Sequence, residues 1–300
     1  MKRLQDSKIM NISHNDMDGV GASIALGNSV PSKNIKYWYA TYKDIDDIVR
    51  RLNFNSYDYV IMTDISPHDH SLIKDKDNLI LLDHHDTAKD LHNPSEFRAV
   101  IEGKCASLIT KEFCELTIGA DISYLDELFT LINDYDMWIH NDKRSKQLNE
   151  LYYMYWGEKF RKRFFEGNVE FTDTEKEYLQ EREKELKILI DNLEYYPLES
   201  INGALFSGDQ RINDVCDFLI TKEKYDIVFC KVAEKGKICV RSKIDNIHIG
   251  NILREYMPSS GGGHKDAGSI DLPKDDIKLI QKTVNDLVEI IKERKLNVIS

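Results

Sequence analysis

Long apolar runs are missing from this chain of 300 residues. No stretch approaches the ~18–20 consecutive apolar residues that span a bilayer. The basic start Lys2-Arg3 has no apolar signal-peptide core behind it, so the expectation is a cytoplasmic protein without a membrane partner. Cysteine is scarce and unpatterned. Cys105, Cys114, Cys216, Cys230 and Cys239 are odd in number and show no C-x-x-C spacing. That argues against a disulfide framework or a zinc ribbon, and for reduced, mostly buried thiols. An excess of basic charge is missing as well. The net charge of −11 argues against sliding on long duplex nucleic acid, where neutralising phosphates drives affinity. A short anionic substrate stays open, because metals, an arginine and backbone amides can hold phosphate locally.

What is present is enough apolar material for real cores, 41% against 31% charged, and a length that suits one large domain or two ordinary ones. Short apolar runs alternate with helical stretches through the first half. Residues 8–14, 35–41, 57–65 and 79–83 read as strands, and 19–26, 44–52, 106–116 and 124–133 as helices. This alternation is the signature of βαβ units and a parallel sheet. From Lys143 to Gly167 basic residues interleave with Tyr152, Tyr153, Tyr155, Trp156, Phe160, Phe164 and Phe165. Such aromatics are either core or a stacking surface for bases. Thr172-Asp173-Thr174-Glu175 is a capping box that opens a charged helix to about Leu193. A smaller unit follows, with strands near 200–207, a hairpin of 225–232 and 237–242, helices at 212–221, 249–256 and 274–294, and a glycine-rich loop at 259–266.

The chemistry sits at element ends. The run Leu79-Ile80-Leu81-Leu82 stops at Asp83-His84-His85, the place where an open parallel sheet puts its ligand crevice. Burying acid and imidazole together is costly unless they are paired or bind a metal. Adjacent residues on an extended chain point to opposite faces, so one histidine suits a metal and the other a substrate phosphate, with Asp83 fixing an imidazole tautomer. His14-Asn15-Asp16-Met17-Asp18-Gly19 spaces three candidate ligands, His14, Asp16 and Asp18, two apart, so that all face one side; an N-cap cluster is the alternative. Asp64 ends the apolar run Val60-Ile61-Met62 and is either a ligand or a turn former. Asp134 and Asp136 close a helix, where carboxylates are unfavourable. Asp134, nearer the apolar pair Leu131-Ile132, is favoured as the ligand, and Asp136 is its competitor. Together these residues suit two divalent cations. Mixed carboxylate and imidazole ligation fits manganese best, with magnesium, cobalt or zinc as alternatives. Such a pair generates hydroxide and clamps the oxygens of a phosphoryl transfer.

This ordered set resembles the DHH phosphoesterase family, in particular its nanoRNase and oligoribonuclease branch, which shares a core with RecJ-type exonucleases. The resemblance rests on His14/Asp16/Asp18, Asp64, Asp83-His84-His85 and Asp134. In the second half, Arg241-Ser242-Lys243 and Gly261-Gly262-Gly263-His264 resemble the DHH-associated domain. The resemblance implies that His14 and Asp16 hold one metal and Asp18, His84 and Asp134 the other, with Asp64 bridging. His85 would contact the scissile phosphate. The glycines independently suit a phosphate nest, with Arg241 and His264 gripping a terminal phosphate; a flexible loop is the alternative.

The expected architecture is α/β. A DHH catalytic domain over 1–170, a parallel sheet with helices on both faces, is followed by a linker helix over 171–196. A smaller substrate-binding α/β domain over 197–300 then presents its glycine loop across a cleft. The expected activity is a two-metal phosphodiesterase that hydrolyses short single-stranded oligonucleotides to nucleoside monophosphates. Alternatives are a linear or cyclic dinucleotide phosphodiesterase, a RecJ-type exonuclease acting on single-stranded DNA, or a nucleotide-binding module without catalysis. The sequence leaves a homodimer open.

Overall fold

Five short runs in the first half pair into one sheet in the computed structural model, which describes residues 3–263, 265–274 and 276–299. The elements follow as β1 (Ile9–His14), α1 (Met17–Ser29), β2 (Ile35–Ala40), α2 (Ile45–Arg51), β3 (Tyr59–Thr63), β4 (Leu79–Asp83) and β5 (Arg98–Val100). The order is β2-β1-β3-β4-β5, and every pairing is parallel. Alternate side chains serve opposite faces. Ile9, Ile61, Ile80 and Leu82 pack with α1 and with a helical layer of α3 (Ala106–Phe113), α4 (Asp126–Asp136), α5 (Lys143–Tyr155) and α6 (Gly157–Arg163). Met10, Ile12, Val60, Met62, Leu79 and Leu81 pack with Ile45 and Val49 of α2 and with Phe54, Ile73 and Leu91. A sheet covered on both faces explains why its strands read as nearly continuous apolar runs. After β2 the chain crosses back over β1 to lay down β3 on its other side. The carboxyl ends of β1 and β3 therefore flank the point where strand order reverses, the usual place for a ligand in such sheets.

The aromatic tract forms α5 and α6. Tyr152, Phe160 and Phe164 are buried in the helical layer, which is the core reading for those three. Tyr153 and Trp156 remain about half exposed, at 49% and 53%. The five cysteines are free, and all but Cys239 are buried.

The chain divides into two units, Met1–Gln180 and Glu181–Ser300, so the boundary falls inside α7 (Asp173–Asp191). The start of α7 is a reciprocal capping box: Thr172 Oγ1 accepts from the Glu175 amide at 3.3 Å, and Glu175 accepts from the Thr172 amide at 2.7 Å. The buried Glu175 carboxylate also takes two bonds from Arg163 (2.7 and 3.0 Å) and one from Tyr155 (2.9 Å).

The second unit holds β6 (Tyr195–Leu198), β7 (Gly203–Ser207), α8 (Ile212–Thr221), β8 (Ile227–Val232), β9 (Lys237–Ser242), α9 (Ile249–Tyr256), β10 (Gly261–Gly263), β11 (Ala267–Asp271) and α10 (Ile277–Ile299). Its mixed sheet has the order β10-β11-β9-β8-β7-β6. The three glycines are not a loop but a short edge strand, antiparallel to β11. The reason is close packing against α9. A Cβ at Gly261 would lie 2.0 Å from the Leu253 carbonyl oxygen, and one at Gly250 would lie 2.0 Å from that of Gly263. Among the three, Gly262 alone has open space around it. Among the described residues, no helix is long and apolar enough to cross a membrane.

The Glu175 cluster makes a stability prediction. Burial opposes the ionised form, but Arg163 and the Thr172 amide hold the carboxyl below its usual range. A carboxyl lowered on folding adds stability above its unfolded pKa of ~4.3, and that stability fades as pH falls through the lowered value. Arg163→Ala leaves the charge buried without its partner, so urea denaturation at pH 7 should show a loss of about 3 kcal/mol. That loss should shrink once the pH drops well below 4, where the carboxyl takes up a proton. An equal loss at both pH values would contradict the charge-based account.

Candidate metal centre

At the end of β1 the chain must turn at once into α1, and Gly19 makes this possible: a Cβ there would lie 2.3 Å from the His14 carbonyl oxygen. A buried polar network ties the turn to β3. Ser13 Oγ donates to the Gly19 carbonyl at 2.5 Å and accepts from Thr63 Oγ1 at 2.7 Å. Asn11 bonds the Ile61 carbonyl at 3.1 Å and Thr63 at 3.2 Å, and accepts from Ser23 of α1 at 2.6 Å. Fully satisfied buried networks of this kind fix geometry. Here the network sits directly behind His14, Asp16 and Asp64.

Asp64 is the hub. It follows β3 with φ 63°, a left-handed conformation that aspartate tolerates better than most residues. His14 Nδ1 lies 3.5 Å from it, His84 Nε2 3.3 Å and His85 Nδ1 3.7 Å. His14 also meets Asp16 Oδ2 at 2.6 Å, while Asp16 Oδ1 caps α1 by accepting from the Gly19 amide at 2.9 Å. One Asp16 oxygen thus caps α1, and the other stays with His14. His84 Nε2 faces Asp136 Oδ2 at 3.5 Å and Asp18 Oδ2 at 3.8 Å. Asp18 lies in the first turn of α1 and accepts from the Ala106 and Ser107 amides at 2.7 and 2.8 Å, which clamps it to the start of α3. Asp83 Oδ1 accepts from the amides of His84 (2.7 Å) and His85 (3.1 Å) and from His85 Nδ1 (2.8 Å). With Nδ1 donating, a neutral His85 ring carries its lone pair on Nε2.

The structure thus brings together His14, Asp16, Asp18, Asp64, Asp83, His84 and His85. It does not bring Asp134. That carboxylate instead accepts from the amides of Asn141 (2.9 Å) and Asp142 (3.2 Å) and so shapes the loop after α4. Asp136 stands in the cluster in its place. The correction has a simple cause: α4 runs to Asp136 rather than ending at Asn133. Residues two apart on a helix point to different sides, so only one of the two acids can face His84. Arg241 lies on β9 of the second unit, bonded to Asn213 Oδ1 at 2.6 Å and to its neighbour's carbonyl, with Gly261, Gly262 and Gly263 in the same sheet. His264 lies outside the described residues. Tyr42 is a member of the neighbourhood that the sequence did not flag. Its ring lies 5.0 Å from that of His14 and 5.9 Å from that of His85.

The donor set falls into three overlapping groups: His14, Asp16 and Asp64; Asp18, His84 and Asp136; and Asp64, His84 and His85, with donor atoms inside 4.8 Å of one another in each. Asp64 belongs to two of them. Among the described residues, no hydrogen-bond donor in good geometry reaches either Asp64 oxygen or Asp136 Oδ2, although all three atoms are buried. Electrostatics show the same crowding. Burial and the charges of Asp16 and Asp18 push the Asp64 carboxyl well above its usual range. Burial and Asp18 push Asp136 up to about 8. Against the effect of burial, Asp16 and Asp64 raise the His14 imidazole to about 11, and Asp136 and Asp18 raise His84. Buried carboxylates without donors, set against like charges, are what a pair of divalent cations would neutralise. The mixture of oxygen and imidazole donors fits such ions.

Comparison with known proteins concerns the fold. Residues 208–290 match the family model of the DHHA1 domain. The whole chain is similar in fold to a DHH-domain protein described as a member of the s1p family of ribosomal proteins (TM-score 0.64, 16% identity, 95% of this chain and 86% of that one). It is also similar to a pGpG-specific phosphodiesterase from Vibrio cholerae (0.57, 14%, 94% and 99%) and to an exonuclease RecJ bound to manganese (0.54, 13%, 97% and 91%). No curated protein matches the sequence.

Two substitutions separate the competing acids. Manganese should raise the thermal midpoint of the unmodified chain, because a ligand that binds the native state stabilises it. Asp136→Asn should abolish most of that rise while leaving the metal-free midpoint equal or higher, since the neutral amide replaces a carboxyl whose ionised form burial and Asp18 disfavour. Asp134→Asn should keep the rise but lower the metal-free midpoint. The reverse pattern would return the ligand role to Asp134.

Proposed function

We propose that this chain, a DHH-family phosphoesterase by its DHHA1 domain and its fold, is a metal-dependent phosphodiesterase. In this reading it hydrolyses short single-stranded oligonucleotides, dinucleotides included, to nucleoside monophosphates. The observation that carries the reading is the convergence of two acid-imidazole sets on one shared carboxylate, Asp64, at the carboxyl ends of β1, β3 and β4. His14 and Asp16 would hold one cation and Asp18, His84 and Asp136 the other, with Asp64 within reach of both sets. Manganese suits the donors best. When bound, such ions would lower the pKa of a water and neutralise charge on the transferring phosphoryl group.

The remaining residues have their own tasks. Asp83 holds the His85 ring in place through Nδ1, which leaves Nε2 to meet a phosphate oxygen. A charged imidazole there would stabilise the negative charge that grows in the transition state. The amides that fasten Asp18 and the network behind Ser13 and Thr63 keep the acids from relaxing apart when substrate binds. Within the second unit, Arg241 and the open face at Gly262 suit a phosphate group. The net charge of −11 fits a substrate held by a few local contacts rather than a long polyanion.

Release of mononucleotides from an end-labelled dinucleotide, with manganese and then with chelator, tests the activity. Turnover should require the metal, and it should fall with substrate length over a panel of two to ten units. His85→Ala should lower kcat by about 10²–10³ while the manganese-induced rise in thermal midpoint persists. Metal-independent turnover, or none on any oligomer of either sugar, would reject the reading.

A further inference from the structure

The junction between α5 and α6 leaves two aromatic side chains half exposed, each resting one edge on the buried ring of Tyr152. Trp156 is 53% exposed and Tyr153 49%, and their rings meet edge-on with centroids 5.4 Å apart. Trp156 has φ 55° and ψ 139°, a conformation that favours glycine and that a bulky residue adopts only under constraint. Strain of this kind, spent on an exposed tryptophan, points to use rather than to folding. The junction is also tied to the metal centre. Tyr152, one turn before Trp156, donates its hydroxyl to Asn15 Oδ1 at 2.9 Å, and Asn15 stands between His14 and Asp16. A Cβ at Gly157 would lie 3.9 Å from the same Asn15 oxygen, so the backbone just after Trp156 runs beside the ligand loop.

We propose that Trp156 and Tyr153 form a stacking platform for a nucleobase of the substrate beside the His14-Asn15-Asp16 loop. The inference rests on the reading that the substrate is a short oligonucleotide. An aromatic face accepts any base, because every base offers a π-face, so the platform adds affinity without demanding a sequence. Trp156 is the main contact, and Tyr153 braces its edge.

The test compares a dinucleotide with its abasic counterpart. Trp156→Ala should raise KM for the dinucleotide roughly tenfold with kcat within about twofold, and leave KM for the abasic compound unchanged. Trp156→Phe should keep KM near that of the unmodified chain. Trp156→Gly should match the Ala variant in KM yet hold or raise the thermal midpoint, since glycine adopts this backbone without strain, whereas a merely structural tryptophan would lose stability. Independently of turnover, AMP should quench the intrinsic tryptophan fluorescence of the unmodified chain saturably, and Trp156→Phe should remove that quenching. If the unmodified chain cleaves no dinucleotide, the proposed function fails, while the AMP titration still decides the platform. Equal KM changes on both substrates, or AMP quenching that survives Trp156→Phe, would overturn it.

Discussion

Like charges packed out of water constrain this molecule more than any other feature. Asp16, Asp18, Asp64 and Asp136 crowd around His14 and His84 at the end of one sheet, and several of their oxygens have no hydrogen-bond donor. An isolated buried carboxylate is costly, and two of them, Asp18 and Asp64, set beside the partly exposed Asp16 and Asp136, are tolerable only with protons or cations among them. The raised values of His14, Asp64 and Asp136 show which groups take up protons when nothing else supplies positive charge. Two divalent ions would take over that role with more charge and with directional bonds.

The fold keeps the acids together against their repulsion. The parallel sheet aligns the ends of β1, β3 and β4, and the reversal of strand order beside β1 opens a space there. The Asn11, Ser13, Ser23 and Thr63 network pins α1 to β1 and β3 from behind. The start of α3 clamps Asp18 with two amides. Asp134 serves the same end from a distance. It does not touch the cluster, but by fastening the loop after α4 it fixes the last turn of the helix that carries Asp136. Asp134 is thus part of what holds Asp136 in place beside His84.

Much of the first unit is legible from residues alone, because a sheet covered on both faces leaves plain apolar runs that end in polar residues. Asp64, Asp83, His84 and His85 stand out for that reason. The capping box at Thr172 and Glu175 is equally plain, since its pattern encodes two specific hydrogen bonds. The choice between Asp134 and Asp136 is not legible: it depends on whether α4 continues for three more residues, and nothing in Asn133-Asp134-Tyr135-Asp136 stops it early. The glycine run is misleading for a related reason. Its composition suggests a loop, whereas the missing Cβ atoms let an edge strand lie against the backbone of α9. Nor does any pattern announce that Trp156 takes a glycine-like conformation, because neither the residue type nor its spacing in the aromatic tract encodes a positive φ.

The central claim is that one shared carboxylate organises a pair of cations. Titration of manganese into the metal-free protein by calorimetry tests it most directly. The account predicts two ions per chain for the unmodified protein, and loss of the second, with marked weakening of the first, for Asp64→Asn. A single ion in the unmodified chain, or two that bind the Asp64 variant with undiminished affinity, would contradict it.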